Sequence, residues 1–131
     1  MGETSAKPRI LVVDDSDLVR LYYRQALTAG GFEVEEALNG VEALERLALA
    51  DPFDLMILDI NMPKMDGLTC LHALRGGPEP GASLPVVMTS SEAGEGDVEA
   101  ARAGGANYYL VKPVAPEELR LCAAVLAGRR A

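Results

Sequence analysis

Four short apolar runs in this chain each end abruptly on a polar residue, and helical patterns fill the intervals between them. Ile10–Val13 closes on Asp14 and Asp15, and Leu55–Leu58 on Asp59. Val86–Met88 closes on Thr89, and Tyr108–Val111 on Lys112 and Pro113. Unbroken apolar runs of this length are the mark of strands covered on both faces. Helices between them act as crossover connections, and crossovers build parallel sheets. In an open sheet of that kind all the strand ends lie along one edge, where ligands bind. Three carboxylates, a hydroxyl and an ammonium then meet in one shallow notch, suited to a divalent cation and a phosphoryl group.

The remaining elements follow from periodicity and punctuation. Arg9–Val13 is predicted as a buried strand. A helix follows over Ser16–Ala29, with Ser16 or Asp15 able to cap it. Val19, Tyr22, Tyr23, Ala26 and Leu27 form its sheet-facing stripe. Gly30 and Gly31 stop it. Phe32–Ala37 alternates apolar and acidic residues, as an edge strand does. Asn39 and Gly40 open a helix to about Ala50, with Leu44 and Leu47 inward. Asp54–Leu58 reads as a central strand, and a helix is predicted over Leu68–Arg75. The segment 76–85, rich in Gly and Pro, reads as an exposed loop. Pro85–Thr89 is a strand and Ser90–Gly96 a polar loop, in which Gly94 and Gly96 offer a soft spot. Asp97–Ala103 is a small helix ended by Gly104 and Gly105. Asn107–Val111 is the last strand. Pro116 fits the first turn of a final helix to Ala127, with Glu117 and Glu118 near the positive end of its dipole and Gly128 closing it.

Five strands and five helices alternate strictly, so the fold class is α/β: a doubly wound, five-stranded parallel sheet with helices on both faces. The flavodoxin-like order 2-1-3-4-5 suits so short a chain. It makes the first and third strands neighbours and so brings Asp14, Asp15 and Asp59 together.

Composition limits the function classes. The 131 residues, 49% hydrophobic, support one domain with a real core. We expect a lead-in over residues 1–8, disordered, a folded unit over 9–128 and a tail over 129–131. A net charge of −8 repels nucleic acid, which is therefore not expected as a direct partner. No apolar run approaches the ~20 residues of a membrane span, and residues 1–8 lack the apolar stretch of a signal peptide. The expected location is cytoplasmic. Cys70 and Cys122 make no disulfide framework and read as reduced, buried thiols. His72 has no second histidine with which to share a metal, and no role is given to it.

Three carboxylates held close together repel one another. Mg²⁺, which prefers oxygen ligands and octahedral geometry, answers that repulsion. Asp14 and Asp15 could each serve merely as helix caps, but that leaves Asp59 and Lys112 unexplained, since ionised groups at the ends of buried strands need partners.

The segments ILVVDDS (Ile10–Ser16), LNGVEAL (Leu38–Leu44), DLMILDINMPKMDG (Asp54–Gly67), PVVMTS (Pro85–Ser90) and GGANYYLVKP (Gly104–Pro113) resemble the receiver domain of bacterial two-component response regulators. That family includes the chemotaxis protein CheY. The resemblance covers about Arg9 to Ala127. It implies that Asp59 is a phosphoacceptor that takes a phosphoryl group from a phosphohistidine. Asp14 and Asp15, with Asp59 and the backbone carbonyl of Asn61, would hold Mg²⁺. Lys112 would pair with one phosphoryl oxygen and Thr89 would donate to another, joined by the Ser90 amide. Tyr109 would be the switch aromatic, coupled to a surface made by the fourth helix, fifth strand and fifth helix. A cis Lys112–Pro113 peptide is implied too. Asn61 and Ser91 stand at positions that tune dephosphorylation in the family, and Ser16 replaces a bulkier residue found in some chemotaxis members.

The resemblance further implies a signalling switch, not an enzyme, which assists its own phosphorylation and dephosphorylation. A histidine kinase or phosphotransfer protein would be the donor and a downstream protein the target. The switch would be a monomer or a phosphorylation-dependent dimer. Nothing after about Ala127 is long enough for an output domain, so the chain reads as a stand-alone regulator or as a receiver excised from a larger regulator or hybrid kinase. Three other readings fare worse. A haloacid-dehalogenase-like phosphatase wants a second Asp where Asn61 stands. A purely structural module with a dead site would not keep the full polar set. A flavin carrier would meet Asp14 and Asp15 where its phosphate should sit.

Overall fold

A computed structural model describes residues 7–49, 51–91 and 95–127. Five strands form one parallel sheet in the order β2-β1-β3-β4-β5: β1 (Arg9–Val13), β2 (Glu33–Ala37), β3 (Leu55–Asp59), β4 (Val86–Ser90) and β5 (Tyr108–Val111). The crossover helices are α1 (Asp17–Ala29), α2 (Gly40–Leu49), α3 (Gly67–Arg75) and α4 (Glu95–Ala103), and α5 (Pro116–Ala127) follows the last strand. The expected order is the observed one.

Alternation along each strand divides the core into two layers. Ile10, Val12, Leu55, Ile57, Val87 and Leu110 face α1 and α5, where they meet Tyr23, Leu27, Leu119 and Ala123. Leu11, Val13, Met56, Leu58, Val86 and Met88 face the other helices and meet Ala43, Cys70, Leu71 and Ala101. All five residues of β3 and all five of β4 are buried, as a doubly covered parallel sheet requires. The outer strand β2 carries Glu33, Glu35 and Glu36. Arg9 pairs with Glu35 at 2.5 Å, and Arg24 with Glu36 at 2.5 Å. Charges of this kind blunt an edge strand against pairing with another chain.

Several boundaries differ from expectation, each for a local reason. β4 starts at Val86, because Pro85 lacks an N–H; its carbonyl still accepts from Met56 N at 2.9 Å. β4 ends one residue later, at Ser90, whose carbonyl accepts from Lys112 N at 2.8 Å. β3 takes in Asp59, since Ile60 N donates to Thr89 O just beyond it. Asp54 stays outside that strand, and its carboxylate accepts from Arg9 N. Phe32 precedes β2 because its N–H donates to Leu27 O in the turn that ends α1. Ser16 caps α1 by accepting from Val19 N. Asp66 caps α3 by accepting from Thr69 N at 2.8 Å, so α3 opens at Gly67.

The loop over 76–85 is not wholly exposed. A 3₁₀ turn occupies Gly81–Ser83, and Leu84 is buried in the second layer. Tyr22 is exposed rather than part of the buried stripe, and its hydroxyl donates to Val114 O at 3.1 Å. Leu44 and Leu47 are only half-buried against the second layer. Cys70 is buried but Cys122 only half-buried, and burial pushes both thiols up to about 11. The helix α4 starts at Glu95, ahead of the expected Asp97. Residues 1–6 of the expected lead-in, Ala50, residues 92–94 with Gly94, Gly128 and the tail over 129–131 lie outside the described residues.

Candidate functional site

The register of the sheet assembles the notch. Val13 pairs with Leu58 and Asp59 with Thr89, so Asp14, Asp59 and Thr89 stand side by side at the C-terminal edge. Each lies two residues beyond a member of the first core layer (Val12, Ile57, Val87), so their side chains project on the α1 and α5 side of the sheet. All three are nearly enclosed: Asp14 is 1% exposed, Asp59 4% and Thr89 0%. Asp15, next along the chain, is exposed.

Lys112 arrives from the end of β5. Its Nζ lies 2.7 Å from Asp14 Oδ2 and 3.1 Å from Asp59 Oδ1. The Lys112–Pro113 peptide is cis, as expected. Burial by itself would lower the Lys112 ammonium, but its hydrogen bond to Asp14 and the charge of Asp59 outweigh that and hold it above the usual lysine value. Asp59 behaves differently. Burial, reinforced by the charge of Asp14, pushes its carboxyl up to about 6 against the pull of Lys112. One ammonium shared between two carboxylates does not neutralise both.

Asp14, Asp15 and Asp59 each bring one carboxylate oxygen within 4.8 Å of the others. With Lys112 counted, that arrangement keeps an excess of two negative charges, which a divalent cation would cancel. Ligand oxygens about 2.1 Å from an octahedral Mg²⁺ stand roughly 3–4 Å apart, so the donor set fits that ion in chemistry and in size.

The acidic pair is braced from beneath. Asp14 Oδ1 accepts from Ser16 N at 2.9 Å, and Asp14 O accepts from Arg20 Nη1 at 2.6 Å. Arg20 is 6% exposed. It also donates through Nε to Glu36 at 2.9 Å and pairs with Asp17. Burial would lower its guanidinium, but those carboxylates raise it. Thr89 Oγ1, in contrast, has no hydrogen-bond partner among the described residues.

The other expected residues stand around this centre. Ser90 is buried on the opposite face, in line with Met88. Asn61 is exposed in the turn after β3. That turn is held tightly, with Gly67 N donating to Ile60 O at 2.8 Å. A Cβ at Gly67 would stand 2.3 Å from Asp59 O, so no larger residue fits without moving the strand end. Tyr109 is half-buried against the second layer, and it pairs in register with Met88. Thr89 and Tyr109 therefore lie on opposite faces of the sheet.

Sequence reasoning did not single out Arg20, Tyr23 or Gly67 for the site. A charged residue one turn before Tyr23 on an otherwise apolar stripe was the available signal for Arg20. Gly67 has no such signal apart from its place at the end of the DINMPKMDG segment.

The chain as a whole is similar to known proteins. Residues 10–124 match the family of the response regulator receiver domain. The chain belongs to that family. The receiver domain is 42% identical over 111 residues to response regulator MprA of Mycobacterium tuberculosis, an alignment covering 85% of this chain and 46% of that protein. The chain thus spans about half the length of the curated relatives it matches. Among solved structures, the receiver domain is similar to the Vibrio cholerae chemotaxis protein CheY4, with TM-score 0.84 and 34% identity over 92% of this chain and 99% of that one. It is similar as well to the signal receiver domain of a histidine kinase from Syntrophus aciditrophicus, with TM-score 0.82 and 31% identity, covering 91% of this chain and 89% of that one. Receiver domains are phosphorylation-activated switches of two-component signalling, and an acidic cluster of the kind they use is present here. No helix among the described residues is long and apolar enough to cross a membrane.

Proposed function

We propose that Asp59 is the phosphoacceptor of this receiver domain. A carboxylate oxygen of Asp59 attacks the phosphorus of a phosphohistidine on a histidine kinase or phosphotransfer protein. The P–N bond breaks, its electron pair stays on the imidazole, and an aspartyl phosphate remains. The observation that carries this reading is the Lys112 amine between Asp14 and Asp59, 2.7 and 3.1 Å from them, in a notch that still holds excess negative charge.

Asp14, Asp15, Asp59 and the backbone carbonyl of Asn61 would hold Mg²⁺. The bound ion would supply positive charge to the phosphoryl oxygens and lower the repulsion among the carboxylates. Lys112 contributes charge from the side of β5, as phosphoryl transfer demands of positioned cations. Thr89 turns its unpartnered hydroxyl to a phosphoryl oxygen, and the Ser90 amide donates to the same group. The phosphoaspartate adds about two negative charges, and this biases the C-terminal end of β4, at Thr89 and Ser90, between two arrangements. Tyr109 responds from the other face of the sheet.

The readout surface is the one formed by α4, β5 and α5. Its exposed apolar residues Tyr108, Val111, Leu121 and Val125 support docking of a downstream protein. The protein is read as a cytoplasmic switch over 9–128 that assists its own phosphorylation and dephosphorylation without turning over a separate substrate. Acetyl phosphate with Mg²⁺ should add one phosphoryl mass to the intact chain, and Asp59→Asn should abolish it. An unchanged mass in the wild-type protein would defeat the proposal.

A further inference from the structure

Tyr23 has no part in the proposed phosphoryl transfer, yet it carries a polar atom into the apolar layer beneath the notch. Its side chain is 2% exposed and packs in the layer that contains Ile57, Val87 and Leu110. Ile57 and Val87 precede Asp59 and Thr89 by two residues, and Leu110 pairs in register with Thr89. Strand alternation therefore puts Thr89 and Tyr23 on the same face of the sheet. Tyr23 also lines, with Ser91 and Lys112, a cavity of about 410 Å³ beside the site. Lys112, Asp14 and Asp59 act on the Tyr23 hydroxyl through their charge, and Thr89 through a hydrogen-bonding contact. Burial pushes that phenol up to about 12, which keeps it an O–H donor at any working pH. Thr89 Oγ1 makes no hydrogen bond of ordinary geometry among the described residues, so its contact with the Tyr23 phenol is a loose one.

We propose that Tyr23 is a positioning residue for Thr89, its phenol donating to Thr89 Oγ1 when the Thr89 hydroxyl turns to donate to the phosphoryl group. A hydroxyl has one donor and two acceptor positions. Once its proton points at a phosphoryl oxygen, its lone pairs need a donor in a place closed to solvent. Tyr23 is the donor that stands there. Linked donors polarise one another, so the bond from Thr89 to the phosphoryl oxygen strengthens when the phenol backs it. The inference rests on the assignment of Thr89 as a phosphoryl-binding group.

Beryllofluoride with Mg²⁺ mimics the phosphoryl group, and its affinity can be measured by titration calorimetry on the full chain. Tyr23→Phe should weaken it about 5-fold, the worth of one neutral hydrogen bond of about 1 kcal/mol. The loss should vanish when the same change is made in a Thr89→Ala background. Tyr23→Leu, which fills apolar volume without the hydroxyl, should behave alike and stands in if Tyr23→Phe does not fold. Unchanged affinity on loss of the hydroxyl would overturn the proposal. So would an equal loss with and without Thr89, because a purely structural tyrosine would give that result. Wild-type protein that binds no beryllofluoride would instead defeat the phosphoryl-binding reading itself, a distinct outcome visible before any variant is made.

Discussion

Asp59→Asn should make this protein more stable at neutral pH in the absence of divalent cations, although it removes the residue on which its proposed function turns. The Asp59 carboxyl rises from 3.8 to about 6 in the folded chain, because burial and the nearby Asp14 disfavour its charged form. Folding therefore binds a proton more tightly at this site. Stability is highest where both states are protonated, below about pH 4, and falls as pH climbs through 6. The shift corresponds to about 3 kcal/mol of destabilisation, complete above pH 6 and roughly half expressed at pH 5. An amide of the same shape escapes it. Urea denaturation in chelator should show Asp59→Asn more stable by up to about 3 kcal/mol at pH 8, by about half that at pH 5, and by little near pH 4. In a domain of this size the pH 8 gain is on the order of 10 °C in melting temperature. Magnesium should narrow the gap, since it stabilises the wild-type acidic cluster by mass action. A variant no more stable than wild type at pH 8 in chelator would refute the reasoning. A gap independent of pH would do the same.

Further outcomes follow from neighbouring contacts. Lys112→Met strips the ammonium from a buried carboxylate pair, and should cost about 3 kcal/mol in chelator by urea denaturation, much of it recovered by adding Asp59→Asn. Arg20→Met leaves the Asp14 carbonyl and part of Glu36 without a donor, and a stability loss of about 2–4 kcal/mol should appear in thermal melts without abolishing the fold. Gly67→Ala forces a methyl against Asp59 O, 2.3 Å away, and is expected both to lower stability by more than about 2 kcal/mol and to slow acetyl phosphate labelling, measured by mass.

Much of the fold could be read from local pattern. The runs Ile10–Val13 and Leu55–Leu58 could only be doubly covered strands, and Ser16 and Pro116 marked helix starts that the structure bears out. The polar residues that end the strands were equally plain, because a charged residue after a buried run has to be explained. The strand ends depart from local pattern where hydrogen bonds reach beyond a strand's apolar stretch. Asp59 and Ser90 belong to strands because a neighbouring chain segment supplies their pairing, which no local pattern records. Tyr22 and Tyr23 looked alike as stripe residues, yet one rides on the surface and the other sits under the notch, a difference of one position around the helix.

Local pattern sufficed for the alternation of elements, the acidic and basic residues at the strand ends and, through their combination, the family. Long-range packing set the rest: Lys112 divides itself between Asp14 and Asp59, Arg20 braces Asp14, Tyr23 lies on the Thr89 side of the sheet, and Thr89 and Tyr109 face opposite ways. Periodicity is a property of neighbours along the chain. The contact of Lys112 with Asp14 spans 98 positions, and it exists because sheet order and register carry those strand ends to one edge.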